Sequence, residues 1–118
     1  MRVEALVTCH DVYENSRGQF ALVAVFQDLP KAPATFWIYF DLRPGAEDDS
    51  ALLVRVRRAG GSREVVFDSG EELVVSSRIT RFSGAAAVDA SGLGRGKYVV
   101  ELLTDGSVTV SRLIEFGS

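Results

Sequence analysis

The sequence predicts an all-β fold, an antiparallel two-sheet sandwich of seven or eight strands with immunoglobulin-like or related topology. Three observations carry this. Apolar and polar residues alternate over short runs, most clearly at 35–42 and 51–58, with the period of two that a half-buried strand requires. Turn signals punctuate the runs about every 8–12 residues. They are Asn15-Ser16-Arg17-Gly18, Arg43-Pro44-Gly45, Gly60-Gly61 and Asp105-Gly106. No stretch supports an amphipathic helix of more than about two turns. A closed barrel is the alternative arrangement. The Cys–Trp–Cys pattern of antibody domains is absent, since Cys9 is the one cysteine.

Taken in order, the chain first alternates Val3, Ala5, Val7 and Cys9 against Arg2, Glu4, Thr8 and His10. Val12 belongs with the apolar set, which calls for a bulge near His10-Asp11. A turn with Gly18 left-handed then pairs Val12 with Leu22 and Glu14 with Phe20. The run 19–26 is apolar on both faces, so it is central or covered. Pro30 and Pro33 make 28–34 a loop or sheet crossover. Over 35–42, Phe36, Ile38, Phe40 and Leu42 take one face, and Trp37, Tyr39 and Asp41 the other. Over 51–58, Leu52, Val54 and Val56 point inward, and Leu53, Arg55 and Arg57 outward. A two-residue turn at Gly60-Gly61 pairs Val56 with Val65, Val54 with Phe67 and Arg57 with Glu64. A further strand is expected over about 72–82. The Gly/Ala-rich stretch 83–95 reads as a long surface loop that returns Val88 to the core.

The run 96–116 reads as the closing hairpin. A three-residue loop, Thr104-Asp105-Gly106, would set Leu102 opposite Val108, Val100 opposite Val110 and Gly96 opposite Ile114. It leaves one apolar face, whereas a two-residue loop leaves neither face clean. It requires Gly106 at positive φ and puts Arg112 opposite Tyr98, where the guanidinium either stacks on the ring or bends out to water.

At 118 residues the chain forms a single β-sandwich domain, 1–118, able to bury its own core. The net charge of −3 argues against a nucleic-acid or membrane-surface partner. A lone cysteine excludes an internal disulfide and fits a reducing, cytoplasmic location. No secretory leader is legible, and no segment approaches the roughly 18 apolar residues of a membrane helix.

The segments 5–12 with Gly18, 36–45 with its closing Pro-Gly, Val54-Arg55-Val56-Arg57, and Gly96-Lys97-Tyr98 through Phe116 together resemble a family. It is a set of small bacterial domains of unknown function, common in GC-rich genomes. The likeness covers most of the chain. It implies the fold and assigns no activity or catalytic residue.

Chemistry-bearing motifs are sparse. Cys9 and His10 are adjacent on a strand and so point to opposite faces, which leaves no Cys–His pair and too few soft ligands for zinc. Gly92-Leu93-Gly94-Arg95-Gly96-Lys97 lacks the spacing, the following Ser or Thr and the helix of a phosphate loop. Glu47, Asp48 and Asp49 lack the alternating spacing of a calcium loop. Arg55, Arg57, Arg58 and Arg63 form a basic hairpin patch partly offset by Glu64. These residues call for no cofactor, no metal and no catalytic machinery.

The informative feature is apolar residues at outward positions, including Ala21, Val99 and Leu113. The interface candidates are Trp37, Tyr39, Val23, Val25, Leu53 and Leu103, since tyrosine and tryptophan combine a large rigid area with a polar edge. The expected function is a non-enzymatic binding or assembly domain. It would self-associate, as a homodimer for example, or dock a protein partner through one sheet face. The alternative is a small-ligand or carbohydrate-binding sandwich with Trp37 and Tyr39 as a stacking platform.

Overall fold

In the computed structural model, residues 1–45, 49–61, 63–70, 73–76 and 78–117 are described. They form ten strands: β1 (Arg2–Glu14), β2 (Phe20–Phe26), β3 (Asp28–Leu29), β4 (Thr35–Arg43), β5 (Ser50–Arg58), β6 (Val65–Asp68), β7 (Leu73–Val75), β8 (Phe82–Asp89), β9 (Gly96–Thr104) and β10 (Ser107–Phe116). A four-stranded sheet runs β2-β1-β4-β8. A six-stranded sheet runs β3-β10-β9-β5-β6, with β7 also on β5. The strands beyond the expected seven or eight are β3 and β8, which fall in stretches read as loops. No helix among the described residues is long and apolar enough to cross a membrane.

The core lies between the two sheets, and strand alternation supplies it. Phe36, Ile38, Phe40 and Leu42 of β4 face Leu52, Val54 and Val56 of β5 and Tyr98, Val100 and Leu102 of β9, all buried. Edge-to-face and tilted ring contacts link Phe26, Phe36, Phe116 and Tyr98 across it. Tyr98 is fully buried. Its hydroxyl donates to Gly94 O at 2.9 Å and accepts from Arg58 Nη1 at 3.1 Å. A tyrosine near the start of a strand that bonds back to the preceding corner is the tyrosine corner of immunoglobulin-like sandwiches. Arg58, not Arg112, lies over the Tyr98 ring, at 5.4 Å from its centroid. Arg112 pairs with Val100 and is exposed.

The closing hairpin departs from the expected register. Leu103 pairs with Val108, and Ser107 with Thr104, across a two-residue turn in which Asp105 and Gly106 both have positive φ, 51° and 83°. Both angles positive is the hairpin turn whose twist matches that of the strands. A bulge at Thr109 then shifts the pairing, so Val110 meets Leu102 and Ile114 meets Tyr98. The turn is also held from outside. Asp105 exchanges hydrogen bonds with Ala51, whose amide it accepts through Oδ1 at 3.0 Å and whose carbonyl it bonds through its own amide at 2.8 Å. Docking of the tip on β5 and a bulge together achieve what a uniform register could not.

Two other bulges move expected pairs. One between Val3 and Ala5 exchanges the faces of β1. Leu6 and Thr8 therefore point to the core, and Ala5, Val7 and Cys9 point away, with no bulge at His10-Asp11. The other lies between Val56 and Arg57, so Val56 pairs with Phe67 and Arg57 with Val65. Arg58, not Arg57, reaches Glu64, at 3.4 Å. The hairpin from β1 to β2 does have its expected pairs, Val12 with Leu22 and Glu14 with Phe20, around Gly18 at φ 74°. Asn15 Oδ1 anchors that turn by accepting from the amides of Arg17 and Gln19.

The stretch read as a loop, 83–95, is mostly strand. β8 pairs with β4 through eight consecutive partners, from Thr35 with Asp89 to Leu42 with Phe82. The strand expected at 72–82 is reduced to β7. In a constant-type immunoglobulin sandwich a strand D borders strand E. Here β4 and β8 hold the places of B and E, and the chain between β5 and β8 joins β5 instead, so β8 ends its sheet.

Candidate functional site

The outer face of the four-stranded sheet is built by alternation. Row by row it carries Val25, Cys9, Trp37 and Ala87, then Val7, Tyr39 and Ala85, then Ala5, Asp41 and Ser83. Trp37 and Tyr39 are thus on the outer face, as expected, and each is half-buried.

Part of that cover comes from the chain's own β1–β2 hairpin. Phe20 is paired with Glu14, seven residues along β1 from Val7, the partner of Tyr39. A straight strand would separate these positions by about 23 Å. Yet the Phe20 and Tyr39 rings lie 5.6 Å apart, tilted 58°. The hairpin therefore doubles back over the sheet. The bend falls where the ladder passes from Cys9–Val25 to Asp11–Val23, at Ala24, a non-glycine residue with φ 53°. Val12, Leu22 and Phe20 are half-buried, and Tyr13, Ala21 and Val23 are exposed. A cleft of about 400 Å³ remains near the hairpin tip, lined by Gly18, Gln19, Phe20, Tyr39, Arg81 and Ser83.

The six interface candidates do not form one patch. Trp37, Tyr39 and Val25 share the outer face of the four-stranded sheet. Val23 lies on the exposed side of the folded-back hairpin. Leu53 and Leu103 pair with each other on the six-stranded sheet, outside the core, on the far side of the molecule. Leu103 is only 5% exposed there. Sequence could not assign strands to sheets, and strand order separates these residues.

At the β8 end of the outer face, Asp41 is 5% exposed and held by Arg81 through a two-point contact, Nε to Oδ1 at 3.0 Å and Nη2 to Oδ2 at 2.6 Å. Ser83 donates to the same carboxylate at 2.9 Å. The Arg81 hydrogen bonds above all, with that of Ser83, hold the Asp41 carboxyl below its usual range. On the opposite outer face the buried Glu101 takes Arg55 and Arg57 at 2.8 and 3.0 Å, so these two arginines are structural partners.

Cys9 is fully buried, although on the outer face rather than the core. Its Sγ sits 3.9 Å from Trp37 O, and burial pushes its thiol pKa up. Native protein should therefore react with a thiol reagent orders of magnitude more slowly than urea-unfolded protein, timed by absorbance with a chromogenic disulfide. Equal rates would mean that the hairpin opens freely. His10 points the other way, its ring 5.2 Å from Phe26. Among the described residues no three of His, Cys, Asp and Glu gather where they could hold a metal ion. Glu47 and Asp48 of the acidic loop lie outside the described residues. Gly94 of the glycine-rich stretch serves as the acceptor for Tyr98, and β9 begins at Gly96 where a phosphate loop would open a helix.

The outer face was partly legible in sequence. The edge that borders it was not, because a run of glycine and alanine shows no alternation.

Neither a family model nor a curated protein matches the chain. Among solved structures, an immunoglobulin-like protein from Pseudomonas aeruginosa superposes with a TM-score of 0.50 at 12% identity, over 98% of this chain and 94% of that one. At that identity the likeness establishes the fold alone. The chain is an all-β, two-sheet sandwich of immunoglobulin-like form.

Proposed function

We propose that this chain is a non-catalytic assembly domain that docks a protein partner at the β8 side of its four-stranded sheet. The observation that carries this is β8 itself, an eight-residue terminal strand beside Trp37 and Tyr39. A terminal strand offers unpaired backbone donors and acceptors to an added strand, and neighbouring side chains supply the specificity. Sandwiches of this form serve widely as binding modules, which supports the non-catalytic reading by analogy of fold.

Trp37 is the single tryptophan and sits one strand in from the edge, opposite Ala87. Docking at this side should therefore shift its emission to the blue. Trp37→Ala should weaken binding by about 2 kcal/mol while the protein still folds. An unchanged Trp37 spectrum in a complex of doubled or greater mass would move the interface elsewhere.

The second reading is a small polar ligand, such as a sugar, in the cleft under the hairpin tip. It is favoured by the Phe20 and Tyr39 rings beside Gln19, Arg81 and Ser83. It predicts quenching by a saccharide panel with no change in mass.

A further inference from the structure

We infer that the occupant of the β8 edge is β8 of a second copy, paired antiparallel about a two-fold axis at Ala85. This rests on the reading of β8 as the docking edge and names its partner.

Four observations lead there. The first is that, among the described residues, β8 is the long sheet edge with no interruption. β10, open over 107–114 because β3 covers only its last two residues, is broken by the bulge at Thr109 and carries Arg112. The open part of β1, 2–7, is broken by the bulge at Glu4. At the other edges β2 is interrupted by Ala24 at φ 53°, β3 has two residues, β7 three, and β6 four beside a bulge. Such interruptions are how monomeric proteins blunt their edges, together with charge and proline. From Phe82 to Val88 there is no charge, no proline and no bulge.

The second observation fixes which backbone groups are open. Ala90 N donates to Ala34 O at 2.9 Å, in step with the β4–β8 register. Hydrogen-bonded pairs alternate along an antiparallel ladder. Phe82, Gly84, Ala86 and Val88 therefore bond to β4, and Ser83, Ala85, Ala87 and Asp89 turn their N–H and C=O to the open side. A second β8 can pair only odd residue with odd residue, which restricts the axis to a residue position.

The third is side-chain complementarity. An axis at Ala85 sets Ser83 against Ala87 and Gly84 against Ala86, small residues that let the strands approach. It sets Phe82 against Val88, on the core side. It also sets Arg81 against Asp89, so the two ends of the strand meet with opposite charge. Arg81 directs Nε and Nη2 to Asp41, yet its side chain is still 61% exposed. An axis at Ala87 would instead set Ala85 against Asp89 and leave Arg81 unmatched.

The fourth is continuity of faces. Directly opposed residues in an antiparallel pair share a side, so the outer faces of the two copies join. Trp37 and Tyr39 of both copies then lie on one side of a sheet of eight strands. Edge pairing alone buries less than the roughly 1,200 Å² of a standard interface, so the dimer is weak and reversible.

The test is sedimentation velocity on the intact chain from about 1 μM to about 1 mM, the span of weak association. Wild type should pass from monomer to dimer. Ala85→Lys places like charges on the axis, and Ala87→Pro removes an outward N–H without touching the β4 ladder. Each should keep the wild-type fold by circular dichroism and weaken dimerisation at least tenfold. In a Cys9→Ser background, Ala85→Cys should cross-link at least tenfold faster than Ala87→Cys, because hydrogen-bonded opposite residues lie at disulfide distance. Equal rates would overturn the axis. A wild type that stays monomeric would overturn self-pairing while leaving docking of a different partner on this edge intact. A dimer indifferent to both β8 variants would overturn self-pairing and the edge reading together.

Discussion

Tyr98→Ala is expected to remove about 3–5 kcal/mol of folding stability, the usual cost of truncating a large buried ring. A domain of this size holds roughly 5–15 kcal/mol in all, so the variant would be close to unfolding at room temperature. The magnitude follows from position. The ring is fully buried between the sheets, 5.7 Å from that of Phe116, and its loss would open a void beside the aromatic cluster. Tyr98→Phe separates the hydroxyl from the ring. It would keep the packing, leave Gly94 O without its donor and remove the acceptor of Arg58 Nη1. About 1–2 kcal/mol should follow, because the cost of unmaking a buried hydrogen bond exceeds its net contribution when intact. Urea titrations of wild type and both variants give the two differences directly. Equal stability of Tyr98→Phe and wild type would mean that the corner hydrogen bond does not hold the 90–95 turn to β9.

The stretch Gly96-Lys97-Tyr98 was visible in the sequence, but its role was not, because the informative distance is from Tyr98 to an acceptor four residues upstream. Other parts divide the same way. Alternation in 35–42 and 51–58 identified the core faces correctly, since large β-branched and aromatic side chains leave no ambiguity over a regular strand. The Asn15–Gly18 turn set its hairpin register locally, and the expected pairs were right. Registers failed wherever one residue was inserted, at Glu4, Val66 and Thr109. A bulge is chosen by how two strands fit onto a third, and nothing local announces it. The Asp105-Gly106 turn shows this well. Burial of a clean face pointed to a longer loop, but Asp105 is tied to Ala51 of β5, a contact across 54 residues of sequence.

The candidate surface is subject to the same limit. Trp37 and Tyr39 were placed outward correctly from alternation alone. Their surroundings depended on sheet order, which moved Leu53 and Leu103 to the far side, and on a bend at Ala24. An alanine at φ 53° has no sequence signature. That bend sets Phe20 over Tyr39, so part of the apolar outer surface is covered by the chain itself.

Gly84→Val is expected to destabilise the domain by about 2–3 kcal/mol, through overpacking rather than through lost contacts. A Cβ at position 84 would fall 2.6 Å from Cζ of Phe40 and 3.1–3.2 Å from its Cε atoms. Gly84 is the direct cross-strand partner of Phe40, and the ring lies over the glycine backbone. The ring has little freedom to withdraw, being 6% exposed with Phe82 at 5.9 Å on its β8 side. Valine's own preference for strands favours the substitution by no more than about 1 kcal/mol, which is too small to offset the clash. The cause can be isolated with Phe40→Leu, which shortens the side chain that collides. Alone it should also destabilise, by leaving a cavity. Combined with Gly84→Val, the two should be non-additive by at least about 1 kcal/mol, because the added methyls occupy the space the ring vacates. Strict additivity would show that position 84 is intolerant for a backbone reason unrelated to Phe40. The pair also explains how a run as featureless as Ser83-Gly84-Ala85-Ala86-Ala87 becomes a strand. Its own β-propensity is low, but the large side chains of β4 need a neighbour small enough to lie beneath them.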